Sequence, residues 1–275
     1  MTTRTTTKTT TTATGRLDLY VEQHGTGPDV LLLAGLGDTV EAWQFQVDGL
    51  QDHYRLTTFD NRGAGRSPMP DDSFSVASMA DDAADVLRSL DIGTAHVAGF
   101  SGGTAIAQEL ALRHPELVRS LVLMGTWARM DAFMNTLARS ITWMVEAASE
   151  REFLEAFFLW IYTARAHEDG TVEQIIEEAL GFEYGATPEG IRRQLEAFVR
   201  HDTVDRLHRI SVPTLVLAGG QDLVTPPRLG RVVADLVPGA AFEVWPEEAH
   251  QPFQEVPDAF NRRVDAFWRE VDSKE

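Results

Sequence analysis

Three residues whose side chains can jointly activate a hydroxyl group occur along this 275-residue chain in the order Ser101, Asp222 and His250. A serine hydroxyl is a poor nucleophile until a neighbouring base removes its proton. An imidazole does this well when a carboxylate holds its tautomer and stabilises the imidazolium that forms. We therefore predict that Ser101 attacks a carbonyl group, that His250 is the general base and that Asp222 orients the imidazole.

The serine lies in a glycine-rich motif, Gly-Phe-Ser-Gly-Gly at residues 99–103, which matches the pattern G-x-S-x-G. The motif directly follows an apolar strand pattern and precedes a helical one, and this strand–turn–helix context is what the motif requires. In so sharp a turn the residues two positions before and after the serine crowd one another, so both must be small. The Gly102 N–H then lies near the reacting carbonyl, at the positive end of a helix dipole, and is a predicted oxyanion donor.

The acid, the base and a second oxyanion donor also follow predicted strands. Asp222 comes just after the apolar run at 214–218, and His250 comes just after the pattern at 241–244. The donor is predicted to be the N–H of Leu36, in the loop after an earlier strand. Open α/β sheets bind their ligands beyond the carboxyl ends of the strands, and the Ser-Asp-His order is the one expected for this architecture.

Strand and helix patterns alternate along most of the chain. Short apolar or alternating runs predict strands at 17–23, 30–34, 54–59, 95–99, 121–124, 214–218 and 241–244. Helical spacing of apolar residues predicts helices at 39–50, 78–90, 104–113 and 257–271. Repeated strand–helix units give parallel βαβ structure, so the predicted fold class is α/β, with a mostly parallel, doubly wound sheet.

The middle of the chain, residues 127–205, contains no convincing strand pattern and is rich in large apolar residues at helical spacing. We interpret it as a helical cap inserted into an α/β core that comprises residues 15–126 and 206–275. Some of its side chains are expected to line an apolar pocket. Trp127 is the predicted substrate contact because it directly follows a strand, and Phe100, beside the nucleophile, either touches substrate or packs beneath the turn.

The composition narrows the classes of function. The formal net charge is −18, which disfavours nucleic acids and anionic membranes as partners, so the expected partner is a small-molecule substrate. The absence of cysteine excludes disulfides and thiolate nucleophiles, and no histidine pair has a persuasive metal-binding spacing, so no metal is predicted. Neither a secretory signal nor a membrane span is evident, and the cytoplasm is the default location.

The threonine-rich segment at residues 1–14 is expected to be a disordered tail. It lacks the apolar surface that would offset its ordering entropy. A short targeting peptide is the alternative, because the segment carries Arg4 and Lys8 and no acidic residue.

From Arg16 to the C-terminus the chain resembles the α/β-hydrolase superfamily, and within it the branch of 3-oxoadipate enol-lactonases and related small esterases. The resemblance is carried by Leu36 in its loop, the Asp-Asn-Arg-Gly-Ala-Gly-Arg-Ser segment at 60–67, the motif at Ser101, Asp222 and His250. It implies a Ser–His–Asp triad, no cofactor, and a helical cap after the sixth strand that usually sets the substrate.

Two positions depart from the family pattern. Ala34 stands where the family usually has histidine, which changes the support of the oxyanion loop but leaves the Leu36 N–H in place. Gly102 stands where many relatives have a bulkier residue, and because only its N–H takes part, little loss is expected.

These features predict a serine hydrolase that cleaves an ester, lactone or related carbonyl bond through an acyl-enzyme on Ser101. The superfamily also includes lyases, cofactor-free oxygenases and haloperoxidases, and ligand-binding proteins that have lost catalysis. The triad alone does not separate these classes. Two roles are possible for Arg62 and Arg66: they bind an acidic substrate, or they form hydrogen bonds to backbone groups of their own loop.

Overall fold

A mixed sheet of eight strands lies at the centre of the protein. The computed structural model describes residues 17–71 and 74–274 and, by its backbone alone, the segment 6–11. The strands are β1 (Thr6–Thr11), β2 (Asp18–His24), β3 (Asp29–Leu33), β4 (Arg55–Phe59), β5 (Ala95–Phe100), β6 (Val118–Met124), β7 (Thr214–Gly219) and β8 (Ala241–Trp245). Their order is β1-β2-β4-β3-β5-β6-β7-β8. β2 is antiparallel to β1 and β4, and the other pairs are parallel, which confirms the predicted mostly parallel sheet.

The prediction of a disordered tail is wrong for residues 6–11. They form the edge strand β1, whose register runs from Thr6 opposite Gln23 to Thr11 opposite Asp18. Threonine is β-branched and favours extended backbone, and without β1 the hydrogen-bonding groups along the edge of β2 would be unpaired. Composition showed only that the segment has little apolar surface. It gave no information about the backbone hydrogen bonds that the edge of β2 supplies. The other residues of the predicted tail lie outside the described part of the chain.

Helices cover both faces of this sheet. The α-helices of the described residues are α1 (Gln44–Leu50), α2 (Val76–Ser89), α3 (Gly102–Arg113), α4 (Ala132–Ala147), α5 (Glu150–Ile161), α6 (Ala164–Glu168), α7 (Thr171–Gly181), α8 (Pro188–Val199), α9 (Pro227–Leu236), α10 (Pro252–Glu255) and α11 (Pro257–Asp272). The apolar sides of α2, α3 and α9 share one buried core with the sheet, and those of α1 and α11 share a second. Two cores on opposite faces confirm the doubly wound arrangement.

The helices α4–α8 lie between β6 and β7 in the sequence, within residues 127–205, which we call the helical segment. Many of its buried side chains form two clusters, one around Phe158 and one around Ile141, and others, such as Phe198, join the core that α2, α3 and α9 share with the sheet. The first cluster includes Val224 from the loop after β7, and the second includes Leu36 from the loop after β3. The helical segment therefore packs on the loops that follow the strands. Of the helices in the described ranges, none has the length and apolarity needed to cross a membrane.

Candidate active site

Ser101 occupies a strained turn between β5 and α3. Its backbone has φ 50° and ψ −119°, a conformation that residues other than glycine rarely adopt. A Cβ atom added to Gly99 would lie 2.6 Å from the Gly103 carbonyl oxygen, and one added to Gly103 would lie 2.0 Å from the Leu33 carbonyl oxygen. The turn therefore requires both glycines. The helix α3 begins immediately after Ser101, two residues earlier than expected, so that its first N–H is that of Gly102. The first N–H groups of a helix have no intrahelical acceptor.

Asp222 and His250 form a buried pair beyond the ends of β7 and β8. The His250 Nδ1 atom lies 2.7 Å from Asp222 Oδ2, and the two side chains are 3% and 1% exposed. Asp222 also accepts hydrogen bonds from the N–H groups of Val224 and Thr225, at 2.8 and 2.7 Å, and from the Thr225 hydroxyl at 2.7 Å. With Nδ1 donating to the carboxylate, Nε2 is left to accept a proton.

The surroundings of this pair favour an ionised carboxylate. Burial by itself raises the pKa of Asp222, but the neighbouring His250 and the hydrogen bonds from His250 and Thr225 outweigh it. The pKa of Asp222 consequently lies below its usual value. The carboxylate is therefore charged at neutral pH and can stabilise an imidazolium.

Two backbone contacts fix the position of the His250 ring. The His250 N–H donates to the Ile161 carbonyl oxygen at 3.1 Å, which ties the loop after β8 to the end of α5. Gly125, with φ 67°, lies against the ring, and a Cβ atom there would be 3.0 Å from His250 Cε1. The helical segment thus contributes directly to the placement of the candidate base.

Ser101 and His250 line one cavity of about 50 Å³, together with Leu36 and Gly102. Apart from the Thr225 hydroxyl, the other walls are apolar and come mainly from the helical segment. Within the described residues the polar contacts of the His250 ring are to Asp222 and Thr225, and the Ser101 hydroxyl is not among them. Catalytic hydrogen bonds of this kind are often long in the free enzyme and tighten when substrate binds.

The loop that carries Leu36 is held by two amide side chains. The Gly37 N–H donates to Gln194 Oε1 at 2.9 Å, and Asn61 Nδ2 donates to the Ala34 carbonyl oxygen at 3.2 Å. Gln194 lies on α8 and is fully buried. No local motif pointed to Gln194, because its contact is made across 157 positions of the sequence. These bonds support the predicted oxyanion loop in a chain that has alanine at position 34.

A second carboxyl group, Asp38, lies beside the candidate site and was not predicted. Its Oδ2 atom accepts a hydrogen bond from the Gly35 N–H at 3.2 Å and closes the turn that contains Leu36. Burial raises the pKa of Asp38 to about 6, although the Gly35 N–H and His250 act to lower it. The native protein therefore holds the Asp38 proton more tightly than the unfolded chain does.

Replacing Asp38 by asparagine is expected to stabilise the protein at pH 8 and to have little effect at pH 4. A pKa raised by folding contributes stability at low pH, and this contribution is lost as the pH rises through about 6. Asparagine keeps an acceptor for the Gly35 N–H and cannot ionise. A pKa raised from 3.8 to about 6 sets an upper limit of about 3 kcal/mol, so we expect a gain of about 1–3 kcal/mol at pH 8, or roughly 2–10 °C in Tm. Thermal unfolding at both pH values checks this, with the exposed Asp52→Asn as control, and an equal change at pH 4 and pH 8 would contradict it.

The two predicted substrate contacts are placed differently. Trp127 is buried and lines the cavity, so it remains the predicted substrate contact. Phe100 does not line it, and its ring packs 4.8 Å from the His250 ring and 4.7 Å from the Phe253 ring. Phe100, the last residue of β5, is buried in the core that α1 and α11 share with the sheet, whereas Ser101, in the turn that follows, lines the cavity. Phe100 as a substrate contact is therefore corrected to a packing residue.

Phe198 of α8 fills the space next to Gly102. A Cβ atom added to Gly102 would lie 2.4 Å from Phe198 Cζ, and Phe198 is only 2% exposed. The ring therefore occupies the volume that a larger residue after the serine would need. This packing could not be predicted, because nothing near Ser101 in the sequence indicates which residue of a distant helix covers the turn.

The variant Gly102→Ala is expected to lower kcat/KM by about 10²–10³, the usual cost of losing one oxyanion donor. The new methyl group collides with Phe198, so that the N–H at position 102 or the ring must move. Adding Phe198→Leu to Gly102→Ala removes the collision and should raise kcat/KM at least about tenfold above that of Gly102→Ala alone. A double-mutant cycle measures this coupling. Wild-type kinetics in Gly102→Ala would show that this contact does not constrain the site.

Arg62 and Arg66 are paired with carboxylates of their own chain. Arg62 Nε and Nη2 donate to the two oxygens of Asp82 at 2.6 and 2.7 Å, and Arg62 is buried. Arg66 forms ion pairs with Glu41 and Asp60. Neither arginine lines the cavity, so the structure supports a role in holding the loop and not a role in binding an acidic substrate.

Known proteins resemble this chain over almost its whole length. A family model of the α/β hydrolase fold matches residues 28–256. Over 258 residues the chain is 33% identical to a putative carbamate hydrolase, RutD, of Azorhizobium caulinodans, covering 94% of this chain and 97% of that protein. The crystal structure of a putative non-heme bromoperoxidase, BpoC, from Mycobacterium tuberculosis gives a TM-score of 0.84 at 33% identity and covers 92% and 96% of the two chains. A thermophilic esterase from Thermogutta terrifontis gives a TM-score of 0.84 at 28% identity and covers 98% and 99%.

The chain therefore belongs to the α/β-hydrolase fold family, as the resemblance in its sequence predicted. Relatives named as a hydrolase and an esterase support a hydrolase that acts on small substrates. The relative named as a bromoperoxidase shows that family membership by itself does not define the reaction.

Proposed function

We propose that this protein is a serine hydrolase that cleaves an ester, lactone or related carbonyl bond of a small, partly apolar substrate. The observation that carries the proposal is the convergence of Ser101 with the buried Asp222–His250 pair at one cavity whose other walls are largely apolar. The strained turn exposes the serine, the pair supplies a base with a fixed tautomer, and two N–H groups are available for an oxyanion.

The proposed reaction forms and then hydrolyses an acyl-enzyme. His250 Nε2 takes the Ser101 proton while Oγ attacks the carbonyl carbon, and the N–H groups of Leu36 and Gly102 stabilise the resulting oxyanion. The tetrahedral intermediate expels the alcohol oxygen, which receives the proton from His250. Water, deprotonated by the same imidazole, then attacks the acyl group and releases the acid and free Ser101.

In this proposal the helical segment is a cap over the site. Met134, Leu137 and Phe198 line the cavity together with the serine and limit access of water. Hydrogen bonds and charges act more strongly on a developing oxyanion in such an environment than they do in water. The cap also holds the base, through the bond from the His250 N–H to Ile161.

Turnover of short-chain esters and lactones tests this function. Ethyl butanoate and γ-butyrolactone, followed by acid release in a pH-stat, should give many turnovers for each enzyme molecule at a rate proportional to enzyme concentration. A folded protein that releases no acid from any member of a panel of such substrates would contradict the proposal.

Haloperoxidase activity is the second candidate, because a relative of 33% identity is named as a bromoperoxidase. Bromination of monochlorodimedone by hydrogen peroxide and bromide, with no ester present, would favour it. The same assay should show no enzyme-dependent bromination if hydrolysis is the activity of the site.

A further inference from the structure

The cavity is lined mainly by uncharged, apolar side chains. Ser101, Gly102, Thr225 and His250 line it, and the other lining side chains are aliphatic, thioether or aromatic groups, with the unpaired indole N–H of Trp127 as their one polar group. Lysine, arginine, aspartate and glutamate do not occur among the lining residues of the described chain. A substrate group that enters this space therefore meets methyl, thioether and aromatic surfaces.

The charges just outside the cavity do not favour an anion either. Two carboxyl groups act on His250: Asp222 is hydrogen-bonded to it, and Asp38 is near enough for the two groups to interact electrostatically. Arg129, which precedes the lining residue Met130, is paired with an aspartate at 3.3 Å. The chain as a whole has a net charge of −18, which repels anionic substrates at low ionic strength.

A carboxylate placed in such a cavity would lose its hydration without gaining a lysine or arginine partner. Burial of an unpaired charge is among the most costly changes in a protein interior, whereas burial of an isopropyl group of the same shape is favourable. An ester whose acyl chain ends in a carboxylate and one whose acyl chain ends in an isopropyl group should therefore differ greatly in how tightly their transition states are bound. Because both react at the same carbonyl group, the difference comes from the side chains that line the cavity.

We infer that this site accepts uncharged, apolar acyl groups and rejects acyl groups that bear a carboxylate. The inference rests on the proposed hydrolase function and specifies its substrate class. Among the lining residues, Met130 is only partly buried and is the position at which a change of charge can be made with the least disturbance.

A matched pair of esters tests the inference. Ethyl 3-methylbutanoate and monoethyl malonate differ in that a carboxylate replaces the isopropyl group of the acyl chain. At about 0.5 M salt, which screens the long-range repulsion, kcat/KM should be at least about a hundredfold higher for the uncharged ester. Values within about fivefold of each other would overturn the inference and leave the hydrolase function intact. Cleavage of neither ester, or cleavage that persists in Ser101→Ala, would contradict the proposed function, and the inference would fail with it.

A second test of the inference introduces a positive charge into the cavity. Met130→Lys should lower the ratio between the two esters at least tenfold by raising kcat/KM for monoethyl malonate. Met130→Leu changes shape without adding charge and should keep the high ratio, whatever its effect on absolute rates. Equal ratios in folded Lys and Leu variants would contradict the assignment of this cavity to the acyl group. If Met130→Lys does not fold, the wild-type ratio decides the inference on its own.

Discussion

Replacing Ser101 by alanine is expected to lower kcat for ester hydrolysis by about a millionfold, to the rate that binding and oxyanion stabilisation alone provide. The alanine methyl group has no atom that can attack a carbonyl, and water activated by His250 would have to reach the same carbon past the cavity walls. Steady-state and single-turnover assays on ethyl butanoate measure the effect.

Ser140→Ala is the matched control, because Ser140 lies on α4 and does not line the cavity. It should keep wild-type kinetics. Thermal unfolding of both variants distinguishes loss of the nucleophile from loss of the fold. Activity in Ser101→Ala within tenfold of wild type would remove the serine from the mechanism.

The substitution Asp222→Asn is expected to lower kcat by about 10⁴. The carboxylate accepts a hydrogen bond from the His250 Nδ1–H, with the two heavy atoms 2.7 Å apart, and its charge stabilises the imidazolium. An amide in this position is neutral, and its NH₂ group can force the imidazole into the tautomer that leaves no acceptor toward Ser101. The Oδ1 bonds from Val224 and Thr225 are preserved, so the fold should change little.

The pH dependence separates this effect from a simple structural loss. The pKa of Asp222 is depressed in the native protein, so its carboxylate contributes stability at neutral pH, and this contribution is lost only as the pH falls through that depressed pKa. Above that range the wild-type carboxylate is ionised at every pH, and the ratio of wild-type to Asp222→Asn activity should remain large from pH 6 to pH 9. A ratio near one in that range would contradict the orienting role.

The positions of Ser101, Asp222 and His250 could be predicted because each follows a strand. Parallel strands end at one edge of a sheet, so the topology brings residues together that lie more than a hundred positions apart. The glycines beside the serine were equally predictable, since the steric need for them is local. The fold class followed from the same alternation of strands and helices.

Other features depend on contacts that sequence patterns do not encode. Phe198 and Gln194 reach the turn at Ser101 and the loop that carries Leu36 from α8, and no pattern indicates which face of a helical insertion covers which loop. The local bonds of Asp222 could have been predicted, because an aspartate in a turn commonly accepts hydrogen bonds from the N–H groups that follow it, here those of Val224 and Thr225. The sequence did not show whether Phe100 touches substrate or packs beneath the turn, because its neighbours in the core come from distant parts of the chain.

Covalent labelling tests the central proposal most directly. The wild-type protein and Ser101→Ala would each be treated with a fluorophosphonate, which reacts with serines activated by a base, and the intact masses would be measured. The proposed mechanism predicts one adduct on the wild type, none on Ser101→Ala, and much slower labelling of Asp222→Asn. A wild-type protein that remains unlabelled although folded, or an adduct that persists in Ser101→Ala, would contradict the assignment of Ser101 as an activated nucleophile.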